Sequence, residues 1–337
     1  MRREPAFGVA TAGDRVAATS YLAGAIDLAS GVRRHCHRWM PCIDPREVRH
    51  ACVLVHGLGD HGGRYAALGK ALASRAVPLQ AIDLIGHGRS PGRRGRIDSF
   101  ESLLQEIDGS LRAAASLWPR ACITLIGQSM GGNLAASAAA RWYAEAPQRP
   151  KEPPRDILPF PAMRPRPLAD RMVMIAPMLR PPGKPLRDDF VEAGVKLARL
   201  LPGWPLRTSG RSELLSPDAA AQEAHRSDPL IHHTMSVRLG IELLLAGRRL
   251  LEGFAAVPLP TLVLYGEDDA LIDLAAIDEF TSQSATILSQ AIPGARHEPL
   301  QDRSREAVLA AVQNHFASGV TTGINDRSVD YRRQWAA

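Results

Sequence analysis

Five residues, Gly127-Gln128-Ser129-Met130-Gly131, spell G-x-S-x-G between an apolar run, ACITLI, and a helix-forming one, NLAASAAARWYA. A serine on a sharp strand-to-helix turn projects its hydroxyl away from the backbone, and small residues two before and two after it let strand and helix pack closely. The chemistry this predicts is nucleophilic attack on an acyl carbon. A hydroxyl is a weak nucleophile until a base takes its proton, and that base needs an orienting carboxylate. The transition state also needs two preorganised amide donors for the developing oxyanion, each worth roughly 3 kcal/mol.

One known order of such groups along a chain is serine, acid, histidine. Two histidines lie beyond the acidic turn Gly266-Glu267-Asp268-Asp269, His297 and His315. His315 sits in an amphipathic pattern, REAVLAAVQNHFASG, whereas His297 lies in a loop after a strand, GARHE, and is the expected base. Asp269 closes the acidic turn after the strand PTLVLY and is the expected orienter; its neighbour Asp268 would point elsewhere, because adjacent side chains leaving a strand diverge. Glu267, Asp268, Asp269 and Asp273 lack the central glycine and terminal glutamate of an EF-hand, so no metal is expected there. The amide of Met130, next to the serine, and that of Leu58, in the glycine-flanked loop His56-Gly57-Leu58-Gly59, are the expected oxyanion donors.

These groups need a frame. Short β-rich apolar runs recur, each closed by a glycine-rich or aspartate-bearing turn: ACVLV, VPLQAID, ACITLI, RMVMIAP, PTLVLY and TILSQAIPG. Helical patterns alternate with them, among them SFESLLQEIDGSLRAAASLW, which carries an Asp98–Glu101 capping box and a stripe of Leu103, Leu104, Ile107 and Leu111. The alternation predicts an α/β fold with a mostly parallel sheet flanked by helices, and ligands in such sheets bind at the carboxyl ends of the strands. Residues 1–177 then form the first part of the core, with a proline- and arginine-rich surface insertion at 146–170. Residues 178–234 form a helical cap and 235–337 complete the core. In the cap, RDDFVEAGVKLARLL has helical spacing, and Phe190, Val191, Val195, Leu197 and Leu201 are expected to make one apolar face that binds substrate.

Composition agrees with a globular enzyme: 45% of the 337 residues are hydrophobic and 23% charged, which excludes disordered and fibrous classes. No uninterrupted apolar stretch approaches the ~18 residues of a membrane span, and no apolar segment follows the basic start, so a cytoplasmic location is expected. Cys36, Cys42, Cys52 and Cys122 contain no C-x-x-C pair and read as reduced packing residues. The net charge of +6 favours anionic surfaces, such as a membrane face contacted peripherally; the scattered arginines do not read as a nucleic-acid motif.

Other residues have blander readings. His35 and His37 fall on one face of a strand with no third ligand evident in the sequence, an ordinary polar face. His56, Asp83 and His87 read as braces of strand-end loops, and Arg93, Arg94 and Arg96 as a solvated charge run. Gly57, Gly59, Gly62 and Asp83 also match the dinucleotide fingerprint, which would make an NAD-dependent oxidoreductase; Asp60 would then lie where the pyrophosphate binds, and Ser129, Asp269 and His297 would go unexplained.

The ordered runs HGLGDHGGRY, DLIGHGRSPGRRGRIDSF, GQSMGG, LYGEDD and GARHE together resemble the successive motifs of the monoacylglycerol lipases and bacterial lysophospholipases of the α/β-hydrolase fold. The resemblance runs from about residue 50 to 135 and resumes near 260 to 300. It implies Ser129 as nucleophile, Asp269 as acid, lying three residues after the strand-end glycine, His297 as base, and Leu58 and Met130 as oxyanion donors. It also implies a single-chain acyl substrate, a lysophospholipid or monoacylglycerol, and no cofactor. Gln128 stands where the family usually has histidine, Asp60 replaces a usual glutamate and Ile85 a frequent arginine, and the insertion after the nucleophile helix is unusual. A short-chain carboxylesterase, a proline-aminopeptidase-like peptidase, an acyltransferase and a catalytically silent ligand-binding homologue stay open as alternatives.

Overall fold

The computed structural model describes residues 18–28, 31–144, 168–183, 186–254 and 257–317. All but the last three residues of the proline-rich insertion expected at 146–170 lie outside them. Four strands form the centre of an eight-stranded sheet: β3 (His50–Val55), β5 (Cys122–Gln128), β6 (Arg171–Ile175) and β9 (Thr261–Gly266), all parallel. Their residues are buried on both faces, which is why each reads as a continuous apolar run rather than an alternation. Parallel β4 (Leu79–Ile82) and β10 (Ile287–Ile292) flank them. Beyond β4, an antiparallel hairpin of β1 (Thr19–Leu28) and β2 (Val32–Pro41) completes the order β1-β2-β4-β3-β5-β6-β9-β10.

Helices cover both faces. Val53, Val55, Leu125, Met172 and Val263 point to the side packed by α2 (Phe100–Leu117), α3 (Met130–Ala144), α6 (Val237–Gly253) and α7 (Leu274–Thr281). Cys52, Leu54, Ile126, Val173 and Leu264 point to the side packed by α1 (Ala66–Ala73) and α8 (Arg305–Ala317). The cap of α2 differs from the expected Asp98–Glu101 box by one residue: Ser99 is the N-cap, and its hydroxyl accepts the Ser102 amide at 3.0 Å. Both are good capping types, and extended backbone at Ser99 decides between them.

Between β6 and β9 the chain leaves the sheet to form α4 (Asp188–Leu200), β7 (Pro205–Arg207), α5 (Ala219–Ser227) and β8 (Thr234–Ser236) before α6 returns to it. β7 pairs antiparallel with β8, so this small ribbon straddles the boundary expected between residues 234 and 235. The expected single apolar face of α4 is split in two. Val191 and Ala198 are buried, Val195 is half-buried, and a side-chain carbon at Gly194 would lie 2.3 Å from Ile241 of α6. Phe190, Leu197 and Leu201 project the other way and are 64%, 43% and 44% exposed. At 100° per residue the two sets fall on different sides of the helix, and only one can face α6.

Candidate active site

Ser129 sits between β5 and α3 with φ of 54°, a left-handed conformation that costs a serine of order 1 kcal/mol or more. Neighbouring contacts enforce it. Ser129 N–H donates to the Ile175 carbonyl at 2.8 Å, and the Ser129 carbonyl accepts amides of Gly132 and Met178. A side-chain carbon at Gly127 would lie 2.3 Å from the Gly131 carbonyl oxygen, and one at Gly131 would lie 2.1 Å from that of Val55. The two glycines of the motif are therefore the spaces in which strand and helix touch.

The loops after β9 and β10 bring the other two groups. His297 Nε2 lies 2.8 Å from Ser129 Oγ, and its Nδ1 lies 2.8 Å from Asp269 Oδ2. Asp269 is buried and its second oxygen accepts the Leu271 amide at 2.8 Å, while Asp268 is exposed. The structure thus brings Asp269 to the imidazole and sends Asp268 to solvent. Burial by itself would lower the pKa of His297; the hydrogen bond and charge of Asp269, with a smaller push from Glu298, outweigh it and raise the pKa above the usual value.

The loop after β3 lies against the serine. A side-chain carbon at Gly57 would be 3.4 Å from Ser129 Cβ and 4.0 Å from its Oγ. Asp60 N–H closes a turn on the Gly57 carbonyl, with Gly59 at φ of 74°, so Leu58 occupies the position whose amide that turn does not use. Met130 opens α3, where the first amides have no partner within the helix. His56, fully buried, stays structural: its Nε2 accepts the Leu84 amide at 3.0 Å and burial lowers its pKa. Asp83 accepts the amides of Gly62 and Arg89, and the His87 ring contacts the Ile85 carbonyl, so both brace loops as expected. The glycine run 57–62 is closed by protein rather than shaped for a pyrophosphate, since a side-chain carbon at Gly59 would lie 2.1 Å from the His232 carbonyl oxygen.

Residues 46–149 and 158–304 match the family model described as "Serine aminopeptidase, S33". The chain belongs to this family. Among similar proteins, a monoacylglycerol lipase of Mycolicibacterium smegmatis is 27% identical over 293 residues, which are 86% of this chain and 94% of that one. The crystal structure of Paleococcus ferrophilus monoacylglycerol lipase shares 26% identity and superposes with a TM-score of 0.64 over 79% of this chain and 94% of its own. A soluble variant of monoglyceride lipase from Saccharomyces cerevisiae, in complex with a substrate analog, has a TM-score of 0.69 over 91% of this chain and 97% of its own; at 18% identity it shows the α/β fold alone.

This S33-family chain also carries groups whose bracing role sequence reasoning did not reveal. Arg64 grips Glu298 through two hydrogen bonds and reaches Asp60 at 3.1 Å, while the Tyr65 hydroxyl donates to the other Asp60 oxygen at 2.8 Å. Gln128 Nε2 donates to the His297 carbonyl at 2.8 Å. The signal available was the departure of Asp60 and Gln128 from the family pattern; their partners lie too far along the chain for spacing to reveal. The chain between α5 and β8 meets the loop after β3: His232 N–H donates to the Gly59 carbonyl at 3.0 Å, and His61 Nε2 sits 2.9 Å from Asp228 Oδ2.

Proposed function

We propose that the chain is a serine carboxylic-ester hydrolase acting on single-chain acyl lipids, monoacylglycerols or lysophospholipids, through an acyl-enzyme. The observation that carries this is the imidazole of His297 lying 2.8 Å from both Ser129 Oγ and Asp269 Oδ2. In this reading His297 takes the serine proton as Oγ attacks the ester carbonyl, and returns it to the leaving alcohol. Asp269 holds the Nδ1–H tautomer, and the Leu58 and Met130 amides receive the oxyanion. Water, activated by the same histidine, then releases the fatty acid. The lipid class is carried by the monoacylglycerol lipases among the relatives.

In the same reading residues 178–234 cap the site, supported by the bonds of Asp228 and His232 to the loop bearing Leu58. Val191 and Val195 serve on its inner side. Phe190, Leu197, Leu201 and Trp204 are exposed, and Arg96 lies against Gly203, beside Trp204; Arg93 and Arg94 are exposed nearby in sequence. An apolar patch with basic neighbours suits peripheral contact with an anionic membrane face, from which a lipid substrate is drawn. Cys36, Cys42 and Cys52 are free thiols, which suits the reducing cytoplasm. Among the described residues no helix is long and apolar enough to cross a membrane.

Hydrolysis of p-nitrophenyl esters of two to twelve carbons tests the reading. kcat/KM should rise with chain length, each buried methylene adding up to ~0.8 kcal/mol, and Ser129→Ala should lose at least about 10³-fold while staying folded. A flat length dependence removes the lipid assignment. Faster cleavage of aminoacyl anilides than of any ester would turn the reading to a peptidase, as the family's description suggests.

A further inference from the structure

Outside the Ser129 site, the edge of the sheet gathers a second set of chemically capable groups. β2 runs antiparallel to β4 with Cys36 opposite Ile82, and the Asp83 amide donates to the His35 carbonyl at 2.9 Å. His35 and Asp83 are thus cross-strand neighbours, and His37, two residues along β2, shares their face. One donor atom from each of the three lies within 4.8 Å of the others. His37 and Asp83 are buried and His35 is half-buried. The Tyr21 hydroxyl occupies His37 Nδ1 at 2.8 Å, which leaves Nε2 facing Asp83 Oδ1 at 3.3 Å. The Nε2 of His35 is buried without a hydrogen-bond partner, and that of His37 is buried with only the Asp83 carboxylate beside it.

We infer that His35, His37 and Asp83 form a binding site for a divalent transition-metal ion of the zinc type. Two imidazoles and one carboxylate are a donor set that zinc prefers to calcium or magnesium. The Tyr21 hydroxyl on Nδ1 and the Gly62 and Arg89 amides on the carboxylate are outer partners of the kind that orient metal ligands.

Room at the donor edge is kept by two glycines. A side-chain carbon at Gly62 would lie 3.0 Å from His37 Cδ2, and one at Gly63 3.1 Å from its Cε1, the two atoms that flank Nε2. Tetrahedral zinc with bonds of about 2.0–2.1 Å holds its donors about 3.4 Å apart. The His37–Asp83 gap of 3.3 Å already has that spacing, so His35, the most accessible of the three, is the group that closes. His61, whose ring centroid is 6.4 Å from that of His37, is engaged by Asp228 and the Gly63 amide, and the Arg89 side chain is exposed to solvent. An ion here would clamp the β1–β2 hairpin to β4 and, through Asp83 and Gly62, to the loop that carries Leu58.

The test is calorimetric titration of the EDTA-stripped full chain with zinc chloride near pH 7.5, beside His35→Gln and the double variant His35→Gln/His37→Gln, with circular dichroism as the control for folding. The parent should bind one zinc, show the visible bands of a low-symmetry site when cobalt(II) replaces it, and melt at higher temperature with zinc than without. His35→Gln should bind at least about 100-fold more weakly and the double variant should lose the cobalt bands. Zinc binding of equal strength in all three proteins would place the ion among other histidines and overturn the inference; so would a folded parent that takes up less than one equivalent.

Discussion

Arg64 and Glu298 meet face to face, Nη1 to Oε1 at 3.0 Å and Nη2 to Oε2 at 2.7 Å, with both side chains largely buried. They are 234 residues apart in the chain, and each lies a few residues from a group proposed to act on the ester: Leu58 on one side, His297 on the other. The forked pair therefore ties the segment after β3 to the loop that carries His297. A planar guanidinium holds a carboxylate in a fixed plane, which a lysine cannot do.

Removing that pair should disturb both position and proton affinity. Glu298 helps raise the pKa of His297. The working base is the neutral imidazole, so kcat/KM falls as pH drops below the raised pKa; without the Glu298 charge that limb should move to lower pH. Glu298→Gln is expected to lose up to about 10²-fold in kcat/KM near neutrality from misplacement, with the acid limb shifted down. A pH profile with its limb unmoved or shifted up would refute the coupling.

The choice between adjacent acids can be read from kcat. Asp269→Asn should lower kcat by about 10⁴-fold, because the amide favours the wrong imidazole tautomer. Asp268→Asn should leave the parental rate nearly unchanged, since Asp268 is exposed. The reverse pattern would shift the orienting role by one residue.

The outer side of α4 should matter only at a lipid surface. Leu197→Ser/Leu201→Ser/Trp204→Ser removes exposed apolar area without emptying the core. Binding to vesicles containing anionic phosphatidylglycerol should weaken by at least about tenfold, while turnover of a dissolved short ester stays within about twofold. Equal vesicle binding by parent and variant would argue against this patch as the membrane contact.

Acid should destabilise the fold through its buried histidines. Burial pushes His232 and His315 down to about 4 and holds His87 well below its usual value. In the unfolded chain these rings titrate near 6.5, so between pH 6.5 and 4 the unfolded state binds more protons and stability is lost as pH falls. His297, whose pKa is raised, acts in the opposite direction but is one group against several. Melting temperature should decline over that window, and His315→Gln, folded at neutral pH, should show a shallower decline. An equal slope in the two proteins would remove His315 from the account.

Local stereochemistry was legible in the residues themselves. The glycines of G-x-S-x-G announce a strand and a helix too close for side chains, and the structure places Gly127 against Gly131 and Gly131 against Val55. Central strands were visible because parallel strands buried on both faces are apolar throughout. The β1–β2 hairpin was not: β1 is exposed along most of its length, so neither a clear alternation nor a continuous apolar run marks it. Helical periodicity revealed α4 but not which of its apolar residues meet α6, because a period states that sides exist and packing chooses among them. The same limit hid Asp83 from His35 and His37, and Glu298 from Arg64. Such pairs depend on strand register and loop path, which follow from burying the whole core at once, and no spacing within one segment encodes them.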